Sequence, residues 1–371
     1  MAVIPTSVLD RANTRVGVSD AQVLRDVVTR ARRLEGLGYR RIWVAEHHGV
    51  PGIAGSVPTL LMAAVAAATE RIRVGSGGIM IPDHQPLVTA EHIATLSALF
   101  GDRLDFGLGK SVGFTAPVRR ALRQDEDAAK ARAGYVDDLH ELISYLHQDI
   151  EAGGRDQPIE GHPGLPAEGH PARPAKGRLD QRVEVTMRPQ LSAPAQLHIL
   201  AGGSSIDLAA DLGLGLVLGG PSVWPLPEQA RSGAGHGGIA RYRERFQPSP
   251  GHPEPHVMVS LSVAVADTTD RARDLLLPES WAIAQSRSTG SFDALQPASA
   301  LDLSTLTARQ RRHLDESMAG TLYGTPGEVR QGIDALLDHT GADELLVTGG
   351  MHDPDGRARS DTLLAELLEL G

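Results

Sequence analysis

Short apolar runs rich in β-branched residues alternate along this chain with longer stretches in which apolar positions recur at three- and four-residue spacing, the patterns of strands and amphipathic helices. Val3 to Leu9 reads as a first strand, and Ala21 to Leu37 as a helix capped by Ser19 or Asp20 and stopped by Gly38. A second strand, Ile42-Trp43-Val44-Ala45, precedes a helix from Thr59 to Thr69, a third strand from Ile72 to Ile81, a helix from Pro86 to Phe100 and a fourth strand from Arg103 to Leu108. A longer helix is expected from Asp125 to Gln148. Between Glu151 and Pro189 prolines and glycines crowd too closely for a packed element.

The alternation then resumes with strands at Leu197 to Leu200, Leu214 to Leu218 and Val257 to Ala266, and helices at Ser205 to Leu212, Arg241 to Phe246 and Asp267 to Leu277. A second irregular stretch, Pro278 to Leu306, precedes helices at Thr307 to Met318 and Pro326 to Asp338, an eighth strand at Glu344 to Thr348 and a last helix at Asp361 to Leu370. Eight strands alternating with helices fit a closed (β/α)8 barrel of the TIM type better than an open sheet. The expectation is an α/β chain, one barrel domain over residues 1–371 with irregular insertions at about 151–189 and 278–306.

Composition narrows the setting. No apolar run approaches the ~18 residues of a membrane span. The absence of cysteine excludes disulfides, thiolate catalysis and Cys-ligated metal centres. Met1-Ala2-Val3-Ile4-Pro5 lacks the basic flank and long apolar stretch of a signal peptide, so a cytoplasmic protein is expected. A net charge of −10 argues against a nucleic-acid partner.

Candidate chemistry collects at strand ends. In parallel barrels the loops at the carboxyl ends of strands hold the active site, and the second strand runs straight into Glu46-His47-His48. Imidazole exchanges protons near neutrality, and the glycine- and proline-rich loop that follows has little packing value. The third strand ends in Gly75-Ser76-Gly77-Gly78-Ile79-Met80-Ile81-Pro82, where Gly77 and Gly78, lacking Cβ atoms, let a flat cofactor approach the backbone. A bulge or a tight barrel corner would use the same two glycines. A rival from another class is a metal-dependent barrel hydrolase with His47, His48 and His84 as ligands beside Glu46.

Taken in order, five segments resemble the bacterial luciferase-like flavin monooxygenases: Trp43 to His48, Arg73 to Pro82, Arg103 to Lys110, Thr325 to Arg330 and Thr340 to Leu345. The resemblance implies a TIM-type barrel that uses reduced FMN, supplied by a separate NAD(P)H:flavin reductase, with O₂ as co-substrate. It implies a cis bond at Gly77-Gly78, an acid/base role for His47 beside the flavin, a supporting role for His48 and an orienting one for Glu46. The FMN phosphate is expected at Gly202-Gly203-Ser204-Ser205, where a strand hands over to a helix, with Lys110 as counter-charge. Pairing into a homodimer is expected through the helices after the second and third strands. Lys110 departs from the arginine of many relatives, and the 151–189 insertion is unusually rich in proline and glycine.

A deazaflavin-dependent hydride transfer, or a flavin-binding relative without turnover, would share most of these features. Few aromatic residues are present for stacking a substrate, and Phe114, Trp224 and Trp281 are the candidates. Only three lysines among 36 basic residues, with abundant alanine and glycine, suggest a GC-rich genome and oxidation of a secondary metabolite such as a polyketide, as in antibiotic biosynthesis. The stretch from Pro278 to Leu306 is expected to act as a mobile lid.

Overall fold

A computed structural model describes residues 3–151, 185–202, 205–220, 223–224 and 234–371. Strands β1 (Thr6–Asp10), β2 (Arg41–Val44), β3 (Arg73–Met80), β4 (Leu104–Gly109), β5 (Gln196–Leu200), β6 (Gly215–Gly219) and β7 (Val257–Val265) pair in parallel with their neighbours in sequence. An eighth barrel strand, β9 (Glu344–Thr348), joins β7 to β1, so the sheet closes on itself as a (β/α)8 barrel. Trp43, Val217, Met258 and Leu346, with Leu9 and Leu200 against them, come from six strands around the circle and fill its interior.

The short strand β8 (Thr321–Gly324) was not expected. Residues 258–262 of β7 pair with β9, whereas residues 262–265 pair with β8, so one long strand serves two neighbours in succession. With four residues between two helices, β8 carries too little alternation to stand out in the sequence.

Around the barrel run α1 (Asp20–Gly36), α2 (Pro58–Ala67) and α3 (Pro86–Phe100), close to their expected positions. Ser19 caps α1 by accepting a hydrogen bond from the Gln22 N–H. The single helix expected from Asp125 to Gln148 is broken into α5 (Ala128–Ala131) and α6 (Tyr135–Glu151), with α4 (Ala116–Ala121) before them. Gly134, a poor helix former, lies at the break, and Asp127 caps α5 by accepting from the N–H groups of Ala129 and Lys130. Residues 152–184, most of the first insertion, lie outside the described residues.

After β5 come α7 (Ser205–Asp211) and, after β6, α8 (Ala234–Arg245). The second insertion begins later than expected, because α9 (Thr269–Thr289) continues through Pro278 to a left-handed cap at Gly290. An internal proline costs about 3 kcal/mol or more. Here that loss is offset by burial of Leu275, Leu276, Leu277, Ala282 and Ala284 along the same helix. The remaining irregular stretch contains two 3-10 turns before α10 (Ala308–Ala319), and α11 (Pro326–Thr340) and α12 (Pro354–Leu368) complete the ring. Among the described residues no helix is long and apolar enough to cross a membrane.

The N-terminal end of the barrel is closed by charge. The Arg41 guanidinium sits between Asp105 at 2.9 Å and Glu344 at 2.7 Å, and Arg73 reaches Asp105 at 2.7 Å. Ser7 donates to Glu344, and the His256 ring lies 3.1 Å from the same carboxylate. Outside the sheet, Arg30 of α1 bridges Asp10 of β1 at 2.9 Å and Asp361 of α12 at 2.8 Å, locking the first and last elements together.

Candidate active site at the C-terminal end of the barrel

Glu46, His47 and His48 leave β2 at the carboxyl end of the barrel, where they part in two directions. The Glu46 carboxylate is buried. One oxygen lies 2.7 Å from Nε2 of both His48 and His84, and the other accepts the Met80 N–H at 2.8 Å. Glu46 thereby ties the end of β2 to the end of β3. Burial works to raise its pKa, but the bonds from the two histidines outweigh that and hold the carboxyl below its usual range. The same bond raises His48, while burial and the charge of Glu46 push nearby Asp83 up to about 6.

His47 stands apart from this cluster. Its backbone N–H donates to the Gly55 carbonyl at 3.0 Å, and its ring stacks on Phe114 with centroids 5.9 Å apart and planes within 4°. Its Nδ1 is buried with no hydrogen-bond partner. Burial first, then the charge of Arg11, lowers its pKa to about 4, so the imidazole is neutral at pH 7. A neutral ring can accept a proton.

His47 lines a cavity of about 610 Å³ at the barrel mouth, walled chiefly by Val50, Ile53, Phe114, Ile283 and Phe292. That volume is in the range of small-molecule sites. Phe114 is the one of the three aromatic candidates found there. Trp224 packs against the main core and donates to the Thr321 carbonyl at 3.3 Å, and Trp281 of α9 packs with Leu277 of the same helix and Met318 of α10. The expected lid contributes Phe292, and it is laced to the first two strand-end loops: the Phe292 carbonyl accepts the Gly52 N–H at 2.7 Å, and the Leu295 N–H donates to Thr14 at 2.9 Å.

Gly77 and Gly78 are joined by a cis peptide bond, and the β3–β4 register shifts between Gly77 and Ile79. Neither position admits a side chain. A Cβ at Gly78 would lie 2.6 Å from the Gly107 carbonyl oxygen, and one at Gly77 would lie 2.7 Å from Leu9 and 3.1 Å from the Trp43 ring. A bare strip of backbone is therefore held at the end of β3.

On the other side of the mouth, Lys110 Nζ lies 2.9 Å from Ser205 Oγ and 3.4 Å from the Gly202 carbonyl. Two of the expected phosphate residues thus meet from the ends of β4 and the start of α7. Gly203 and Ser204 lie outside the described residues.

Of the four groups in the metal reading, Glu46, His48 and His84 bring one ligand atom each within 4.8 Å of one another, and His47 is not among them. Both histidines already share a carboxylate oxygen, which is the geometry of a hydrogen-bonded cluster and leaves the cavity-facing imidazole outside it.

Other polar groups at this end escaped the sequence analysis. Arg11 follows β1 directly, lines the cavity and pairs with Glu279 of α9 at 2.6 Å. Asn13 Nδ2 and Thr348 Oγ1, just past β1 and at the end of β9, are buried without partners, as His47 Nδ1 is. Applying the strand-end rule to the first and last strands, as to the second, would have pointed to Arg11 and Thr348.

The family profile of luciferase-like monooxygenases matches residues 5–344, and the chain belongs to that family. A luciferase-like monooxygenase of Escherichia coli (strain K12) is 27% identical over 368 residues, spanning 99% of this chain and 97% of the relative. The solved structure of apo-MsnO8 is similar at a TM-score of 0.75 and 28% identity, covering 99% of both chains. The fold is also that of a type II Baeyer–Villiger monooxygenase, the oxygenating constituent of 3,6-diketocamphane monooxygenase from the CAM plasmid of Pseudomonas putida, solved in complex with FMN; the TM-score is 0.66 at 20% identity, over 98% of this chain and 97% of that one.

Proposed function

We propose that the protein is a cytoplasmic two-component flavin-dependent monooxygenase that takes reduced FMN from a separate NAD(P)H:flavin reductase and uses O₂ to oxygenate a small organic substrate, such as a polyketide. The observation that carries this reading is a neutral His47 that leaves the carboxyl end of β2 and lines a cavity of small-molecule size, in a chain of the luciferase-like monooxygenase family. The residues present suit a flavin: buried polar atoms without protein partners at Asn13, His47 and Thr348, and an ammonium with a hydroxyl at Lys110 and Ser205 for the phosphate.

Bound reduced flavin supplies two electrons to O₂, so that one oxygen atom enters the substrate and the other leaves as water. The chain's own part is positioning and proton handling. Lys110 and Ser205 hold the phosphate end. Gly77 and Gly78 let β3 pack closely on Leu9, Trp43 and Gly107, which fixes the backbone of that strand end. His47, neutral at pH 7 and lining the cavity, accepts a proton from the reacting group. Glu46 acts at one remove by fixing His48, His84 and the Met80 backbone.

The subunits pair into a homodimer through α2 and α3. On these helices Leu60 is 70% exposed and Leu99 67%, with Ala64 and Ala67 continuing the stripe of Leu60, a self-complementary apolar face of the kind that two-fold contacts bury. Light scattering that finds a monomer at micromolar concentration would remove this assembly.

The decisive experiment is anaerobic titration with reduced FMN and with reduced coenzyme F420, followed by mixing with O₂ and stopped-flow absorbance. Saturable binding of reduced FMN and oxygen-dependent reoxidation through a delayed phase are expected. Binding of the deazaflavin alone would replace oxygenation by hydride transfer, and metal analysis showing stoichiometric zinc would revive the hydrolase.

A further inference from the structure

Among the described residues, Arg11 is the one formally charged side chain lining the cavity beside His47, whose walls are otherwise apolar, aromatic or small and neutral. A guanidinium at an apolar wall needs a reason. One of its nitrogens lies 2.6 Å from Glu279 as an ion pair, and Glu279 is itself buried and held from the other side, its second oxygen accepting the Gly350 N–H at 2.8 Å. The carboxylate is thus fixed by the scaffold, and it fixes the arginine. A guanidinium carries five donors in a rigid fork, and Glu279 is the only side chain among the described residues shown to engage this one. Arg11 remains about a quarter exposed, with 24% of its side chain accessible.

We propose that this cavity takes a substrate with an apolar, partly aromatic body and a carboxylate, and that Arg11 selects the carboxylate. Planar, paired N–H donors match a carboxylate's two oxygens, whereas Phe114 and Phe292 offer ring faces to the apolar part. The charge of Glu279 offsets that of Arg11 while the cavity is empty, so the unliganded apolar site does not hold a lone cation. Arg11 leaves β1 and His47 leaves β2, so an anchored carboxylate places the rest of the molecule along the His47 wall. The proposal rests on the function above only in taking this cavity as the substrate's. A strut that merely pins the β1 loop to α9 would give no preference for charge in the ligand.

The test titrates the purified full-length protein calorimetrically with 4-phenylbutyrate and with 4-phenylbutyramide, alike in shape and different in charge. The acid should bind roughly tenfold or more tightly than the amide. Arg11→Gln should bring the two affinities together while leaving the amide's own affinity in place. Because that change strands the buried Glu279 carboxylate, the double variant Arg11→Gln/Glu279→Gln is measured beside it, with thermal melts to report folding. No preference in the wild-type protein, no binding of either probe, or a preference that survives in the folded double variant would overturn the assignment. Reduced FMN is titrated into the same preparations. A protein that prefers the acid but does not bind reduced FMN sinks the oxygenase reading alone, and one that binds reduced FMN without preferring the acid sinks this inference alone.

Discussion

At the N-terminal end of the barrel Arg41 is enclosed between Asp105 and Glu344, and Ser7, Arg73 and His256 take up further positions on the same two carboxylates. At the C-terminal end, Asn13 Nδ2, His47 Nδ1 and Thr348 Oγ1 are buried and left unbonded, and Arg11 faces a cavity. Both ends are polar, and His198 Nδ1 at the first end is unbonded too, so the difference lies in the charged groups: the buried carboxylates of the first end are answered by arginine, whereas Arg11 at the second still faces a cavity. A satisfied network holds one structure in place, whereas an unsatisfied buried atom costs stability until a ligand meets it. The barrel thus separates the end that holds strands in register from the end that waits for cofactor and substrate.

The largest expected effect comes from breaking the satisfied end. Arg41→Ala removes the one guanidinium that Asp105 and Glu344 share, leaving Asp105 to Arg73 and Glu344 to Ser7 and His256, and loss of one partner of a buried ion pair typically costs about 3 to 5 kcal/mol. Urea unfolding should show that loss. Near wild-type stability would mean that the network is redundant and that the contrast between the two ends is one of appearance.

Acid should also act unevenly on the two ends. At the N-terminal end His252, which bonds the Leu197 carbonyl at 2.7 Å, is lowered by burial to about 4, and burial next to His252 pushes His198 well below its ordinary value. A histidine whose folded pKa is depressed contributes stability that is present above its unfolded value near 6.5 and is lost as pH falls toward about 4. At the C-terminal end the shifts within this window oppose one another, because His47 is lowered to about 4 while Asp83 is raised to about 6, and His48, raised from its ordinary value, acts above the window. Between pH 6.5 and 4 the stability slope should therefore come mainly from the N-terminal end, with His252 supplying up to about 3 kcal/mol. His252→Asn should flatten the curve of urea stability against pH in that window. An unchanged slope would locate the sensitivity elsewhere.

Opposite behaviour is expected of His47, whose loss should affect chemistry and spare the fold. His47→Ala should bind reduced FMN within a few-fold of wild type and melt at nearly the same temperature, while single-turnover rates fall by about 10² or more. His48→Ala should lose less, since His48 shares Glu46 with His84 and does not line the cavity. If His48 proves the more sensitive, the proton-handling group belongs to the Glu46 cluster.

Much of the contrast was legible in the chain because it is local. Alternating runs gave the barrel, and the position of His47 just beyond one apolar strand and of Gly77-Gly78 within the last half of the next marked the mouth. What escaped was non-local or against the local rule. Arg41, Asp105 and Glu344 each look like a charged residue near a strand boundary, and their convergence exists only once the barrel closes. Arg11 and Glu279 are far apart in sequence, and α9 had to run through Pro278 before Glu279 could be placed on a helix at all. Four-residue β8 gave too short a pattern. The meeting of Lys110 with Ser205 followed from the family resemblance, not from spacing, since a lone lysine after a strand has no preferred partner.

The smallest expected effect concerns that last pair, and it divides the unsatisfied end into a phosphate side and a ring side. Lys110 Nζ is within hydrogen-bond reach of Ser205 Oγ, and the ammonium is partly exposed, so solvent screening reduces what it gives to a bound dianion. A charge-assisted bond is worth about 1.5 to 3 kcal/mol when well shielded, and the lower figure applies at such a rim, a weakening of roughly tenfold. Lys110→Ala should therefore lower the affinity for reduced FMN by about that factor and leave riboflavin, which has no phosphate, almost unaffected. Ser205→Ala should act in the same direction and more weakly, because the hydroxyl adds a neutral bond. Equal losses for FMN and riboflavin in Lys110→Ala would show that the lysine supports the ring or the fold, and would move the phosphate away from the junction of β4 and α7.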